Sequence, residues 1–243
     1  MPDMPTSVSR VVCVVGARGG IGAASVAQFR SQPATQVVSM DRAVGDASGD
    51  VSEPFYAIDL SKAVDVEAAF AAARREHPKL DALVLAAGIV DSERVATLGL
   101  DRWQQIIDVN LTGCFLAVKS ALPWLRDGGR IVFISSLAGR TGGVLTGPAY
   151  AASKGGLESF AKSLATELAP RRITVNCVAP GAVETEMIRT HTPERRSAMV
   201  AGTPLKRMAL PEEIAAAVSF LASSEAAFIT GTVLPVNGGV RMD

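Results

Sequence analysis

The 243-residue sequence has no excess of either charge: 24 lysines and arginines face 24 aspartates and glutamates. A chain with no net charge carries no bulk electrostatic argument for binding nucleic acid or a membrane surface, and neither partner is expected. Cysteine is scarce. Cys13, Cys114 and Cys177 are an odd number, spaced too widely for a CxxC pair or a zinc site. They read as small buried hydrophobes in a reducing compartment, and no metal centre is expected. No apolar run approaches the roughly 20 residues of a membrane helix. The opening MPDMPTSVSR lacks the apolar core of a signal peptide, so a cytoplasmic location is expected. Internal repeats, low-complexity tracts and linkers are missing too. The length suits one α/β domain as well as two small ones, but without a linker one domain is expected to cover residues 1–243.

What is present is an alternation. Short runs rich in β-branched residues occupy 11–15, 36–40, 55–58, 82–86, 130–135, 173–178 and 232–236. Each is nearly continuous in apolar character, as strands covered on both faces are. Between them, 20–31, 64–76, 111–126, 150–169 and 211–222 have helical periodicity. Alternating strands and helices imply right-handed βαβ crossovers. The expected fold is a doubly wound parallel sheet of about seven strands with helices on both faces. The Gly/Asp/Ser stretch 44–52 fits a loop between strands two and three, and Pro211 suits a first helical turn.

The first strand runs into Gly16-Ala17-Arg18-Gly19-Gly20-Ile21-Gly22 before a helix begins. A phosphate there needs close backbone N–H groups and the positive end of a helix, and glycine permits both. The spacing is GxxxGxG rather than the GxGxxG of the dinucleotide fingerprint. A glycine-rich turn without a ligand is the plain alternative. Asp41 ends the second strand, where a carboxylate can accept hydrogen bonds from adenosine ribose hydroxyls; an exposed turn aspartate is the alternative there. Ser135 and Ser136 close the fifth apolar run. Tyr150-Ala151-Ala152-Ser153-Lys154 opens a long helix, and residues four apart share a helix face. A cation ~5 Å from a phenolate stabilises it by about 3 kcal/mol at an effective dielectric of ~20. Tyr-xxx-Lys alone is weak, because it arises by chance on many surface helices.

The conjunction is more specific. GxxxGxG, Ala86-Ala87-Gly88, Val109-Asn110, Ser136, Tyr150-xxx-Lys154 and Pro180-Gly181 follow one another in order. The sequence thereby resembles the short-chain dehydrogenase/reductase family, from about Arg10 to Val236-Asn237-Gly238-Gly239. The resemblance implies a Rossmann-type sheet and a hydride transfer between an alcohol and a ketone. It implies a tetrad of Asn110, Ser136, Tyr150 and Lys154. Tyr150 is then the general acid or base, Ser136 holds the substrate oxygen, Lys154 binds the nicotinamide ribose and favours the phenolate, and Asn110 supports a water. Ser136 is preferred to Ser135 because Leu137-Ala138-Gly139 follows it, as in the family. Gly16, Gly20, Ile21 and Gly22 would cradle the cofactor, with Asp59 and Leu60 at the adenine. Ala86, Ala87 and Gly88 would line its path, and Pro180, Gly181, Val183 and Thr185 would position the carboxamide and diphosphate. Val15 and Leu85-Ala86 depart from the family's threonine and Asn-Asn, which puts local bonding between the central strands in question.

NAD is the expected cofactor. An NADP phosphate would bring roughly two negative charges to ~4 Å from Asp41, a nominal repulsion of about 8 kcal/mol at an effective dielectric of ~20. Even ~2 kcal/mol surviving solvent screening disfavours NADP about thirtyfold. Arg18 and Arg42 argue the other way, although Arg42 has the option of stacking on the adenine. The segment 186–207 should cover the substrate, with Arg189, His191, Arg195, Arg196, Lys206 and Arg207 against Glu186 and Glu194. That basic excess would suit a CoA phosphate or an acidic carrier protein; a solvated mobile loop is the alternative. In the loop 140–149, Val144 and Leu145 point to a partly apolar pocket. The expected substrate is a small alcohol or ketone or an acyl thioester, and the resemblance implies a homotetramer. The alternatives are a catalytically silent cofactor-binding regulator or scaffold, and an epimerase or dehydratase, which usually has a longer chain.

Overall fold

A computed structural model describes residues 10–42, 55–143, 145–189 and 191–242. Residues 1–9, the stretch 44–52 and Val144 lie outside them. Seven strands are β1 (Arg10–Val15), β2 (Thr35–Asp41), β3 (Phe55–Ala57), β4 (Leu80–Leu85), β5 (Leu125–Ile134), β6 (Thr174–Pro180) and β7 (Val233–Val236). They form one sheet in the order β3-β2-β1-β4-β5-β6-β7. Every neighbouring pair is parallel, the doubly wound arrangement expected.

The continuous apolar runs have a direct cause. Successive residues of β1 point to opposite faces, and both faces are covered. Val11, Cys13 and Val15 pack with Phe70 of α2 (Ala63–Glu76), Val118 of α4 (Gly113–Ala121) and Leu157 of α6 (Pro148–Leu168). Val12 and Val14 pack with Phe29 of α1 (Gly20–Arg30) and Ile214 and Val218 of α9 (Pro211–Leu221). The three cysteines lie buried in the first of these clusters. Burial pushes the Cys114 thiol up to about 11 and Cys177 to about 12, so they behave as packing groups. No helix among the described residues is long and apolar enough to cross a membrane.

One expected element is misplaced. The helix at 111–126 begins earlier, as α3 (Leu100–Ile107), continues through a π-turn at Asp108–Thr112 and ends at Ala121 in α4. Ile106 of α3 is buried and Trp103 and Ile107 are half-buried beside it, a short apolar stripe that precedes the expected range. Arg126 belongs to β5, whose register shifts between the Leu80–Leu125 and Ala82–Arg130 pairs. In the covering segment 186–207, Pro193, Gly202 and Pro204 read as breaks in the sequence, yet it contains α7 (Glu186–Arg189) and α8 (Pro193–Gly202). Pro193 starts α8 rather than interrupting it, and the Thr192 side chain accepts the Arg195 N–H. A further short helix, α5 (Ala138–Thr141), follows the serine pair.

Candidate active site

The sheet reverses its winding at β1, with β2 on one side and β4 on the other, and the crevice above this point is where such sheets place ligands. A cavity of about 880 Å³ opens there. Its floor is main chain. The Gly16 and Ala17 N–H groups donate to the Met40 carbonyl at 2.8 and 3.1 Å, and the Ala86 and Ala87 N–H groups donate to Val15 at 2.8 and 3.1 Å. Where Val15 and Leu85-Ala86 stand, the central strands are thus tied together by backbone hydrogen bonds. Gly16 has φ +85°, and a Cβ on it would lie 2.4 Å from the Ala87 nitrogen. A Cβ on Gly22 would lie 1.9 Å from the Gly16 oxygen. The turn is thus closed tightly on itself, and α1 leaves it with no side-chain cap at Gly19. Across the crevice, a Cβ on Gly20 would meet the Thr185 methyl at 2.6 Å, so the Gly-rich turn and the segment after Pro180-Gly181 face each other.

At the outer end the Asp41 carboxylate accepts the N–H of Arg18 at 2.8 Å and of Arg42 at 2.7 Å, one on each oxygen. The Arg18 guanidinium lies over the Phe55 ring, 3.8 Å from its centroid. Asp59 accepts both the N–H and the hydroxyl of Ser61 at 3.0 and 2.7 Å. The Ser61 hydroxyl holds that carboxyl below the usual range against the opposing effect of burial, with help from Lys62 and Arg42.

At the inner end Tyr150 and Lys154 line the same cavity from α6. The Lys154 ammonium donates to the Ile134 carbonyl at 2.8 Å and lies 5.7 Å from the Tyr150 ring centroid. Ser136 lines the cavity and accepts the Ala138 N–H at 3.1 Å. Ser135 differs: its hydroxyl donates to the buried Glu158 at 2.7 Å. Every residue singled out from the sequence as catalytic or cofactor-binding lines this cavity except Asn110. Asn110 is fully buried in the π-turn. Its side chain accepts the Ile89 N–H at 2.8 Å and donates to the Ile89 carbonyl at 2.9 Å and to Ser153 at 3.1 Å. Both amide hydrogens are therefore engaged in clamping the Gly88–Ile89 turn to α6. π-turns often occur at functional sites.

The substrate end holds residues the sequence did not single out. Ile89, Val90, Leu137, Ile188 and Met199 give it an apolar lining, joined by Leu145 and Val240. The Thr146 hydroxyl is buried there with no partner among the described residues. Ile89 and Val90 directly follow Gly88, a neighbourhood that was readable, and Met199 lies in the segment 186–207 expected to cover the substrate; Val240 comes from a distant segment with no such signal. The Arg195 guanidinium donates to the Leu145 carbonyl, joining α8 to the facing loop. His191 lines the cavity, and burial together with Arg195 holds its imidazole below the usual range.

A family model described as enoyl-(acyl carrier protein) reductase matches residues 16–241. The 3-oxoacyl-(acyl-carrier-protein) reductase FabG of Vibrio cholerae is 38% identical over 242 residues, covering 96% of this chain and 98% of that protein. Among solved structures, a short-chain dehydrogenase/reductase of the glucose/ribitol dehydrogenase type from Brucella melitensis is 34% identical with TM-score 0.90, covering 98% of this chain and 99% of that one. A blue fluorescent protein from a metagenomic library, solved in complex with NADPH, is 28% identical with TM-score 0.89, covering 96% and 98%.

Proposed function

The chain belongs to the short-chain dehydrogenase/reductase family, and from that premise we propose that it interconverts a ketone and a secondary alcohol with Tyr150 as the proton-transferring group. The observation that carries this reading is the convergence of Ser136, Tyr150 and Lys154 on the cavity that the Gly-rich turn floors. The cradle suits a nicotinamide dinucleotide. Gly16 and Gly22 leave no room for a Cβ, α1 offers its uncapped N-terminus to a phosphate, and Asp41 offers oxygens toward a ribose. When bound, the cofactor supplies or accepts the hydride.

The chain's own groups do the rest. Ser136 holds the substrate oxygen by a hydrogen bond. In the reducing direction the Tyr150 hydroxyl gives its proton to that oxygen, and in the oxidising direction the phenolate takes it back. Lys154, fixed on the Ile134 carbonyl, places a cation beside the phenol. Asn110 acts through its clamp on Ile89 and Ser153, so its role is to position the turn and α6 and to support water from the backbone side. Leu60 and Asp59 would hold the adenine, and Pro180, Gly181, Val183 and Thr185 would hold the carboxamide and diphosphate.

NAD is the proposed cofactor, because the Asp41 carboxylate opposes a 2′-phosphate. The second reading, NADP, is favoured by Arg18 and Arg42 in the same cavity wall and by the NADPH-bound relative. For the substrate, the 3-oxoacyl reductase relatives and the basic residues of α8 favour an acyl thioester. A homotetramer would bury Phe115 of α4 against a partner copy, together with Phe160 of α6, which meets it edge to face at 6.1 Å. The C-terminal side offers the exposed Phe228 and Met242. The experiment is a panel of ketones, secondary alcohols and 3-oxoacyl thioesters with each cofactor, read by absorbance of the reduced nicotinamide. Turnover of a ketone or alcohol is expected. Tight cofactor binding with no turnover of any member would favour a regulator or scaffold instead.

A further inference from the structure

Glu158 is a buried carboxylate that the proton transfer does not use. It lies on α6 one turn beyond Lys154, its side chain 8% exposed. One oxygen accepts the Ser135 hydroxyl at 2.7 Å, and the other accepts Nε–H of Arg140 at 3.0 Å. A buried ion pair is weak evidence for stability, since a well-packed apolar replacement is often as stable. Its place in the chain shows what it holds. Ser135 lies between Ile134, whose carbonyl anchors Lys154, and Ser136, whose hydroxyl faces the cavity. Arg140 lies on α5, and its carbonyl accepts a guanidinium N–H of Arg241 at 2.8 Å. Arg241 directly follows Val240, which lines the substrate end. One carboxylate therefore meets both the strand end that carries the reacting groups and, through Arg140, the C-terminal wall.

We propose that Glu158 is a positioning residue with two separable arms: through Ser135 it sets the Ser136 hydroxyl and the Lys154 anchor, and through Arg140 it sets the C-terminal wall of the substrate end. The proposal rests on the oxidoreductase reading above. The two arms act on different kinetic quantities. Misplacing Ser136 weakens contacts to the reacting oxygen and lowers kcat, by on the order of ten- to a hundredfold for a shift of about 1 Å. Displacing the wall weakens substrate binding and raises KM.

The test compares Glu158→Ala, Glu158→Gln, Ser135→Ala and Arg140→Met with the wild-type protein, with rates expressed per reduced-cofactor binding site. Glu158→Ala should lower kcat and raise KM. Ser135→Ala should lower kcat alone, and Arg140→Met should raise KM alone. Glu158→Gln retains an acceptor for Ser135 and should recover most of kcat while KM stays raised. A packing role would reduce the number of sites and the melting temperature but leave kcat and KM per site unchanged in all four variants, and that result overturns the proposal. If Glu158→Ala does not fold, the split between Ser135→Ala and Arg140→Met decides. If the wild-type protein turns over no ketone or alcohol, the oxidoreductase reading fails. Hydrogen exchange then decides on Glu158 separately: faster exchange across residues 135–141 in Glu158→Gln supports the proposal, and unchanged exchange overturns it.

Discussion

At the outer end of the cavity, above β1 and β2, the floor is main chain: Gly16, Gly22, and the backbone at Arg18 and Arg42 held by Asp41. At the inner end, between α5 and α8, the walls are side chains from five separate segments, with Ile89, Leu137, Leu145, Met199 and Val240 among them. A wall of backbone fixes its shape by excluding Cβ atoms, so it serves one ligand and tolerates little change. A wall of apolar side chains can be re-cut residue by residue without disturbing the sheet. The division suits a protein whose cofactor is constant and whose substrate is the variable part. It also separates the two failures to expect on mutation: loss of the cradle, and change of preference.

The difference is sharpest at Gly22. A Cβ there would lie 1.9 Å from the Gly16 oxygen and 2.7 Å from its carbonyl carbon, backbone atoms that cannot rotate away. Gly22→Ala should therefore cost about 3 kcal/mol or, read as cofactor affinity, about a hundredfold. Leu145→Ala at the other end should leave cofactor affinity and melting temperature nearly unchanged while altering substrate preference. Cofactor titration and thermal melts of the pair check this, and equal effects would erase the distinction between the ends.

A smaller effect is expected at the rim of the outer end. The wild-type protein should prefer NAD by about tenfold or more in kcat/KM, and Asp41→Ala should largely remove that preference. Arg18 and Arg42 would remain in the variant to meet a 2′-phosphate. A wild-type preference for NADP would reverse the assignment and make those two arginines its cause.

The smallest effect belongs to the cover of the inner end. Charge reversal at Arg195 and Arg196 should raise KM several-fold for an acyl-CoA, roughly as rim charges do in other charged encounters. A small neutral ketone should be affected less, and only through loss of the Arg195 contact to Leu145. Equal effects on both substrates would leave α8 as a cover without charge selectivity.

The same division explains what was legible in the sequence. The sheet was readable because β1, β4 and β6 are buried on both faces and so appear as nearly continuous apolar runs. The cradle was readable because close backbone approach demands glycine at fixed spacing, and Tyr150 and Lys154 because one helical turn separates them. Helix α3 was not, since its apolar face of Trp103, Ile106 and Ile107 lies in a helix of only about two turns before the π-turn breaks the periodicity. Glu158 was not, because a glutamate in a helix normally reads as a solvated residue, and only the fold brings it to Ser135 and Arg140. Asn110 was found by its motif, but its engagement with Ile89 and Ser153 depends on a π-turn that no periodicity announces. The inner wall was read only through Leu145 and the covering segment 186–207, because side chains from unrelated segments meet there by tertiary packing alone.

The central claim is that Tyr150 moves the proton while Lys154 serves both the phenol and the cofactor. It is tested most directly by measuring cofactor binding and single-turnover reduction in Tyr150→Phe and Lys154→Ala side by side. Tyr150→Phe should bind the reduced cofactor almost as the wild-type protein does and lose turnover by about 10²–10⁴-fold, the usual contribution of a general acid. Lys154→Ala should lose both, since on this account one ammonium, anchored on Ile134, serves the phenol and the cofactor together. Retention of more than a few per cent of the wild-type rate in Tyr150→Phe, with the cofactor still bound, would contradict the account.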